Sequence, residues 1–291
     1  TCRDGRLFRE GAGVGKKAFY DFKVDGLDGQ PDLLSGLTGK VVLATGANSG
    51  IGLGFLQGCA KQGAQVVVWG RRADKNAEAL AALCALGAPR VHAEAVDVSD
   101  EAAVIAAFAS TLKALGRVDC VFANAGYHHR ADSFADLSTE AYQQLLSVNL
   151  HGAFFTLREA ARHMRARAQA GDPGGSLVAC GSLSMFHGLQ GMEHYAAAKG
   201  ALSAMIKGLA VEMGPYGVRA NMLTPGFIMT GMTDAARAQA LIERFSAITP
   251  LGRPGYIADI EGPAVYLASD ASRFHTGDTL VVDGGRLVKA L

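Results

Sequence analysis

From Lys40 onward, short runs of β-branched and apolar residues alternate with longer segments in which apolar side chains return every three or four positions. The strand-like runs are Val41 to Ala44, Gln65 to Trp69, Val91 to Val96, Asp119 to Ala123, Leu177 to Cys180, Arg219 to Leu223 and Thr279 to Val282. Helical periodicity covers roughly residues 50 to 62, 74 to 86, 100 to 115, 138 to 170, 193 to 213 and 257 to 269. Val66, Val67 and Val68 put apolar side chains on both faces of the pleat, as a central parallel strand between two helix layers requires. The alternation predicts an α/β chain with one doubly wound domain, its seven-stranded parallel sheet flanked by helices on both faces.

Two segments depart from this rhythm. Residues 1–37 mix basic and acidic side chains with no sustained apolar period, which predicts an N-terminal extension ahead of a domain spanning 38–291. Residues 226–253, rich in Met and Ala, are too long for a plain connector and are expected to form a flexible lid over a substrate.

Composition narrows the function. A chain of 291 residues with 28 Lys+Arg against 27 Asp+Glu has no general electrostatic attraction to nucleic acid or to a membrane surface, which leaves small-molecule chemistry. Its five cysteines are scattered, without a CxxC pair, and no apolar run is long enough to span a bilayer. A cytoplasmic protein without a metal site is the expectation.

The first strand ends in Thr45-Gly-Ala-Asn-Ser-Gly-Ile-Gly52 and runs directly into a helix. Gly46, Gly50 and Gly52, with Asn48, Ser49 and Ile51 between them, would let backbone N–H groups approach a diphosphate at a helix N-terminus. The spacing is not GxGxxG, and such turns also serve as tight strand-to-helix connections. At the end of the second strand, Gly70 stands where an acidic residue would bind a ribose 2′-hydroxyl, and Arg71 and Arg72 follow. This favours NADP(H), with NAD(H) as the alternative. Asp97, with Val98 beside it, follows the third strand and would border the adenine, although Asp97 could equally cap the next helix.

Tyr195 and Lys199 lie four positions apart in a helical segment and so share one face. Moving a phenol from a pKa near 10 toward neutrality requires about 4 kcal/mol of preference for the phenolate. An ammonium at ~4 Å in an effective dielectric of about 20 supplies on the order of 4 kcal/mol. Ser182 precedes Tyr195 by thirteen residues, an interval that lets it leave a strand end and hold a substrate oxygen.

With these residues in order, the chain resembles the short-chain dehydrogenase/reductase family over about residues 38 to 285, and its domain would be Rossmann-type. The motifs are TGANSGIG at Thr45 to Gly52, ANAG at Ala123 to Gly126, Asn149, Ser182, Tyr195 with Lys199, Pro225-Gly226 with Thr230, and Val282-Asp-Gly-Gly285. The resemblance implies that Tyr195 is the catalytic acid/base and that Ser182 orients the reacting oxygen. Lys199 would hold the nicotinamide ribose and lower the tyrosine pKa, and Asn149 would position a water linking Lys199 to solvent. Asn124, Ala125, Gly126, Pro225, Gly226 and Thr230 would border the cofactor. Ala123 departs from the family, many of whose members carry a second Asn there.

The implied reaction is hydride transfer between a nicotinamide and a secondary alcohol or ketone. A 3-oxoacyl-thioester reductase and a sugar or polyol dehydrogenase are the alternatives among enzymes, and a cofactor-sensing regulatory protein is the alternative outside them. The resemblance also implies a homo-oligomer, a dimer or tetramer, packed through the helix of residues 138 to 170 and the helix carrying Tyr195. Around the expected pocket, Met185, Phe186, Met192, Phe227, Met229 and Met232 suggest an apolar or adaptable site, or ordinary packing. Tyr127-His128-His129-Arg130, His187 and His194 are read as polar pocket wall or surface loop, because adjacent histidines seldom share one ion without a third ligand. The arginines between Arg158 and Arg167 are read as a solvated helix face.

Overall fold

Seven strands, β1 (Val41–Thr45), β2 (Gln65–Gly70), β3 (Val91–Ala95), β4 (Cys120–Ala123), β5 (Gly175–Cys180), β6 (Val218–Pro225) and β7 (Thr279–Val282), form one sheet. Its order is β3-β2-β1-β4-β5-β6-β7, and every neighbouring pair is parallel. The computed structural model describes residues 2–3, 6–7, 36–230 and 235–289. Residues 1–32 and 33–291 are separate units. In the first, Cys2–Arg3 pairs antiparallel with Arg6–Leu7; residues 8–35 of the expected extension lie outside the described residues.

The sequence alternation becomes two cores. In β1, Val41 and Leu43 face one layer while Val42 and Ala44 face the other, and Val67 and Trp69 of β2 oppose Val66 and Val68 in the same way. Helices α3 (Glu101–Leu115), α5 (Ala153–Gln169) and α6 (Glu193–Met213) cover the first layer through Val104, Leu157 and Ile206. Helices α1 (Gly50–Lys61) and α8 (Ile257–Ala268) cover the second through Phe55, Leu56 and Ile260. Each of these side chains contributes roughly 1.5–3 kcal/mol on burial.

Strand order reverses between β1 and β4, so the connections after them diverge to opposite sides and open a crevice at their C-terminal ends. The elements bordering that crevice set up the site.

The long helix expected over residues 138 to 170 is interrupted. It consists of α4 (Thr139–Leu146), a π-helical turn over Ser147–Gly152 and α5. A π turn carries one extra residue, which here turns Asn149 fully into the interior. The segment 226–253 contains α7 (Ala235–Ile248), and Ile228–Met229 pairs in parallel with Gly255–Tyr256. Residues 231–234, including Met232, lie outside the described residues. Helix α2 (Ala73–Ala85) follows β2 as the periodicity predicts.

Candidate active site

Gly46 and Gly50 adopt left-handed φ values of 61° and 57°, folding the turn between β1 and α1 back over the end of β1. Gly52 has no room for a side chain, because a Cβ there would meet Asn124 Nδ2 at 2.5 Å and the Gly46 carbonyl at 2.7 Å. Asn124 in turn secures the turn, donating from Nδ2 to the Thr45 carbonyl at 2.9 Å, while the backbone N–H groups of Asn124 and Ala125 donate to Thr45 Oγ1 at 3.0 and 2.9 Å. Ser49 precedes α1 without capping it, so the first N–H groups of the helix stay open to a phosphate. Thr230 stands beside this turn, its Cγ2 within 3.3 Å of where a Cβ on Gly50 would lie.

At the adenosine end, Gly70 is enforced by its neighbours. A Cβ would fall 2.3 Å from Asn48 Nδ2 and 2.5 Å from Asn76 Oδ1, two atoms that hydrogen-bond each other at 2.9 Å. An acidic ribose ligand at this position would have to break that pair. Arg71 and Arg72 are exposed just before α2. Hydrogen bonds from Ser99, with a smaller contribution from Arg71, hold the Asp97 carboxyl below the usual carboxylate range. The α3 cap belongs to Asp100, which accepts from the N–H of Ala102 and Ala103 at 2.9 and 3.2 Å. Val98 is buried against Gly152 of the π turn.

Tyr195 and Lys199 occupy the first two turns of α6 and are 7% and 3% exposed. Lys199 Nζ donates to the Cys180 carbonyl at the end of β5 at 2.8 Å and stands 5.7 Å from the centre of the Tyr195 ring. Two residues past β5, Ser182 accepts from the Ser184 N–H at 3.2 Å and from the Ser184 hydroxyl at 3.0 Å. The Ser182 hydroxyl also hydrogen-bonds the Tyr195 phenol, an interaction that favours the ionised phenol.

The expected lowering of the tyrosine pKa by Lys199 is corrected here. Among the protein's own groups burial dominates, pushing the Tyr195 phenol up to about 12, with the buried Cys180 thiol adding to the rise and the Ser182 hydroxyl opposing it. Burial also holds Lys199 below the usual lysine range. At neutral pH the Tyr195 phenol is therefore protonated.

A cleft of about 620 Å³ gathers Gly46, Ser49, Gly50, Ile51, Asn124, Ala125, Gly126, Ser182, Tyr195, Lys199, Pro225, Gly226 and Thr230. Asn48, Gly52, Arg71, Arg72, Asp97, Val98 and Asn149 stand outside its lining. Asn149 lies behind it: its Oδ1 accepts the Tyr127 N–H and its Nδ2 donates to the Tyr127 carbonyl, both at 2.9 Å. Of the residues expected around the pocket, Phe227 lines the cleft, while Met185, Phe186, Met192 and Met229 stand outside its lining among the described residues. Met185 packs on the core and Met192 beside Tyr195, and the polar wall is His128, Ser184 and His187. Sequence reasoning missed Arg244 and Phe245 on α7 and Arg286 after β7, all on the cleft. Only the position of Arg286, directly after the Asp283-Gly-Gly285 motif, carried a signal. Phe245 stacks on Phe227, with centroids 3.6 Å apart and planes 1° from parallel, and ties α7 to the loop after β6.

A glycine-cradled turn, an open helix N-terminus and a cleft that also holds a buried phenol fit a dinucleotide, and together define a nicotinamide-linked oxidoreductase site. A family profile described as enoyl-(acyl carrier protein) reductase matches residues 46–286. The L-rhamnose 1-dehydrogenase (NAD(P)(+)) of Azotobacter vinelandii is 37% identical over 264 residues, 87% of this chain and 98% of that protein. The gluconate 5-dehydrogenase of Gluconobacter oxydans is 36% identical, over 88% of this chain and 97% of its own. Among solved structures, a gluconate 5-dehydrogenase from Burkholderia cenocepacia in complex with NADP and tartrate superposes with a TM-score of 0.79 at 32% identity, covering 89% of this chain and 99% of that one. The chain belongs to the short-chain dehydrogenase/reductase family. It is an NAD(P)-dependent oxidoreductase acting on CH–OH groups.

Proposed function

We propose that Tyr195 is the acid/base of reversible hydride transfer between a nicotinamide and a secondary alcohol or ketone, that Ser182 orients the reacting oxygen and that Lys199 holds the nicotinamide ribose. The observation that carries this reading is one cleft lined by a buried phenol, the Ser182 hydroxyl and the glycine turn after β1. In reduction Tyr195 gives its proton to the carbonyl oxygen, while Ser182 donates a hydrogen bond that stabilises the developing negative charge. In oxidation the same phenol, once ionised, removes the hydroxyl proton. When bound, the nicotinamide supplies or accepts the hydride and, in its oxidised form, adds a positive charge to the cleft. The turn from Gly46 to Gly52, with Asn124 to Gly126, Pro225, Gly226 and Thr230, borders the diphosphate and nicotinamide in this reading, and Asp97 and Val98 the adenine end. Lys199 is held in place for its task by the Cys180 carbonyl.

NADP(H) is the preferred cofactor in this proposal. The packed Gly70 excludes an acidic ribose ligand, and Arg71 and Arg72 stand at the α2 N-terminus where a 2′-phosphate would lie. A homo-oligomer is part of this proposal; a groove of about 510 Å³ between α5 and α6, lined by Phe154, Met205 and Leu209 together with Arg158, Arg162, Arg165 and Glu212, supports it. The arginines of α5 do not compete for another role: Arg158 pairs with Glu101, Arg162 with Glu159 and Arg167 with Asp119. No helix among the described residues is long and apolar enough to cross a membrane, and Cys59, Cys84, Cys120 and Cys180 are free thiols. The cytoplasm is the proposed location. The test is a panel of alcohols and ketones followed at the nicotinamide absorbance with NADPH, NADH and their oxidised forms. Turnover with a strong NADP(H) preference is the expected result, and cofactor binding without turnover of any substrate overturns the assignment of Tyr195.

A further inference from the structure

The loop after β4 is fastened at three points, and the fastenings single out one residue between them. Tyr127 is clamped through both backbone groups by Asn149. His129 Nδ1 meets His194 Nε2, on α6 and next to Tyr195, at 3.2 Å. The Ala131 N–H donates to the Gly191 carbonyl at 2.9 Å. His128, held in this frame, lays its ring against that of Tyr195, with centroids 4.6 Å apart and planes at 37°.

His128 shares the cleft with Ser182, Ser184 and His187 among its polar residues and with Leu183, Leu189 and Phe227 among its apolar ones. Burial, with the Lys199 charge assisting, keeps the imidazole below the usual histidine range. At neutral pH it therefore offers one N–H donor and one bare nitrogen acceptor. A hydroxyl group also donates and accepts, and the solvent-exposed imidazole, resting on the Tyr195 ring, can match both roles. With the ring resting on the phenol that handles the reacting oxygen, a substrate bound there would carry its next position toward the imidazole.

We propose that His128 is a specificity-determining residue that binds a hydroxyl adjacent to the reacting carbon, and that the substrates are vicinal polyols and their α-hydroxy ketone counterparts, including sugars and sugar acids. The inference rests on the reading of Tyr195 as the acid/base. It also separates the candidate substrates, since a 3-oxoacyl thioester carries no hydroxyl next to its reacting carbonyl.

The experiment measures kcat/KM on the full chain with NADP+ for an alditol, for a secondary alcohol of equal length without neighbouring hydroxyls, and, with NADPH, for a 3-oxoacyl thioester. Wild type is compared with His128→Phe, which keeps the aromatic stack, and His128→Asn, which keeps hydrogen bonding. NADPH affinity is measured in parallel as a check on folding. Wild type should prefer the alditol. His128→Phe should lower alditol kcat/KM by roughly 10- to 100-fold, mostly through KM, and lower the plain alcohol several-fold less, so that the alditol preference falls. His128→Asn should regain part of the loss. Equal losses on both alcohols, an undiminished alditol preference in His128→Phe, or wild-type preference for the plain alcohol or the thioester each overturns the proposal while leaving the oxidoreductase reading intact. Wild type that binds NADPH but turns over none of the three overturns both.

Discussion

Lys199 reaches across from α6 to the last residue of β5, donating to the Cys180 carbonyl at 2.8 Å. That bond fixes the ammonium beneath the Tyr195 ring and locks the helix carrying the phenol to the strand that leads to Ser182. The three side chains therefore keep their mutual geometry through one strand end and one helix start, which is the preorganisation that acid/base chemistry requires.

Removing the phenol hydroxyl tests the centre of this arrangement. Tyr195→Phe keeps the packing beside Leu145 and Ala198 but leaves no proton to transfer. The expected loss in kcat is about 10²- to 10⁴-fold. NADPH affinity, measured by fluorescence titration, should change by less than about threefold if the residue acts on chemistry alone.

The direction of the phenol pKa fixes the pH dependence. Burial raises Tyr195 to about 12, so at neutral pH the proton-donating form dominates and the base form is scarce. Ketone reduction should be nearly flat from pH 6 to 8, within about twofold, while alcohol oxidation should climb toward alkaline pH by up to about tenfold per unit where this ionisation is limiting. Initial rates in both directions across that range check the sign. Oxidation that falls as pH rises would contradict it, after correction for enzyme stability.

The adenosine end predicts an asymmetric pair of variants. Arg71→Ala should raise the KM for NADPH by roughly 10- to 100-fold and alter that for NADH little, because only the 2′-phosphate calls for the guanidinium. Gly70→Asp, the substitution that would convert such a site to NAD+, collides with the Asn48–Asn76 pair. It should cost about 1–3 kcal/mol of stability, seen as a lower Tm, without creating efficient NADH turnover.

How much of this was legible beforehand follows from the range of the interactions. The parallel sheet could be read because a strand buried on both faces leaves a local signature, as at Val66 to Val68. The Tyr195–Lys199 pair could be read because helix geometry links positions four apart. The π turn was hidden, since no local signal in Ser147 to Gly152 marks an extra residue and the groups packed against it, Val98 and Tyr127, come from other parts of the chain. Helix α7 escaped because the expected lid was read from methionines and from the flanking prolines, whereas Phe245 finds its partner in Phe227 across eighteen positions. The tyrosine pKa went the wrong way because the charge–charge arithmetic left out burial, which exists only once α6 has packed against β5.

Phe227 and Phe245 set the stability of the cleft's outer wall. Their stack is the aromatic contact between α7 and the loop after β6, worth roughly 0.5–1.5 kcal/mol beyond the area it buries. Phe245→Ala should loosen α7 locally, raising substrate KM about 3- to 10-fold and exposing the segment to limited proteolysis. The two core layers lie elsewhere, so global Tm should move by no more than a few degrees.

Asn149 offers the sharpest separation of a positioning role from a chemical one. Its amide satisfies both backbone groups of Tyr127 from a fully buried position. Asn149→Ala strips the partners from two backbone groups and should cost about 2–4 kcal/mol. Asn149→Asp retains the acceptor for the Tyr127 N–H but puts a carboxylate against the Tyr127 carbonyl, so it should pull the Tyr127–His128 loop out of register while filling the same volume. If Asn149 works by holding that loop, Asn149→Asp should lower kcat/KM by about 10- to 100-fold and weaken the alditol preference with it, because His128 is displaced from Tyr195. A matching loss on every substrate, with the preference unchanged, would instead assign Asn149 to proton relay alone.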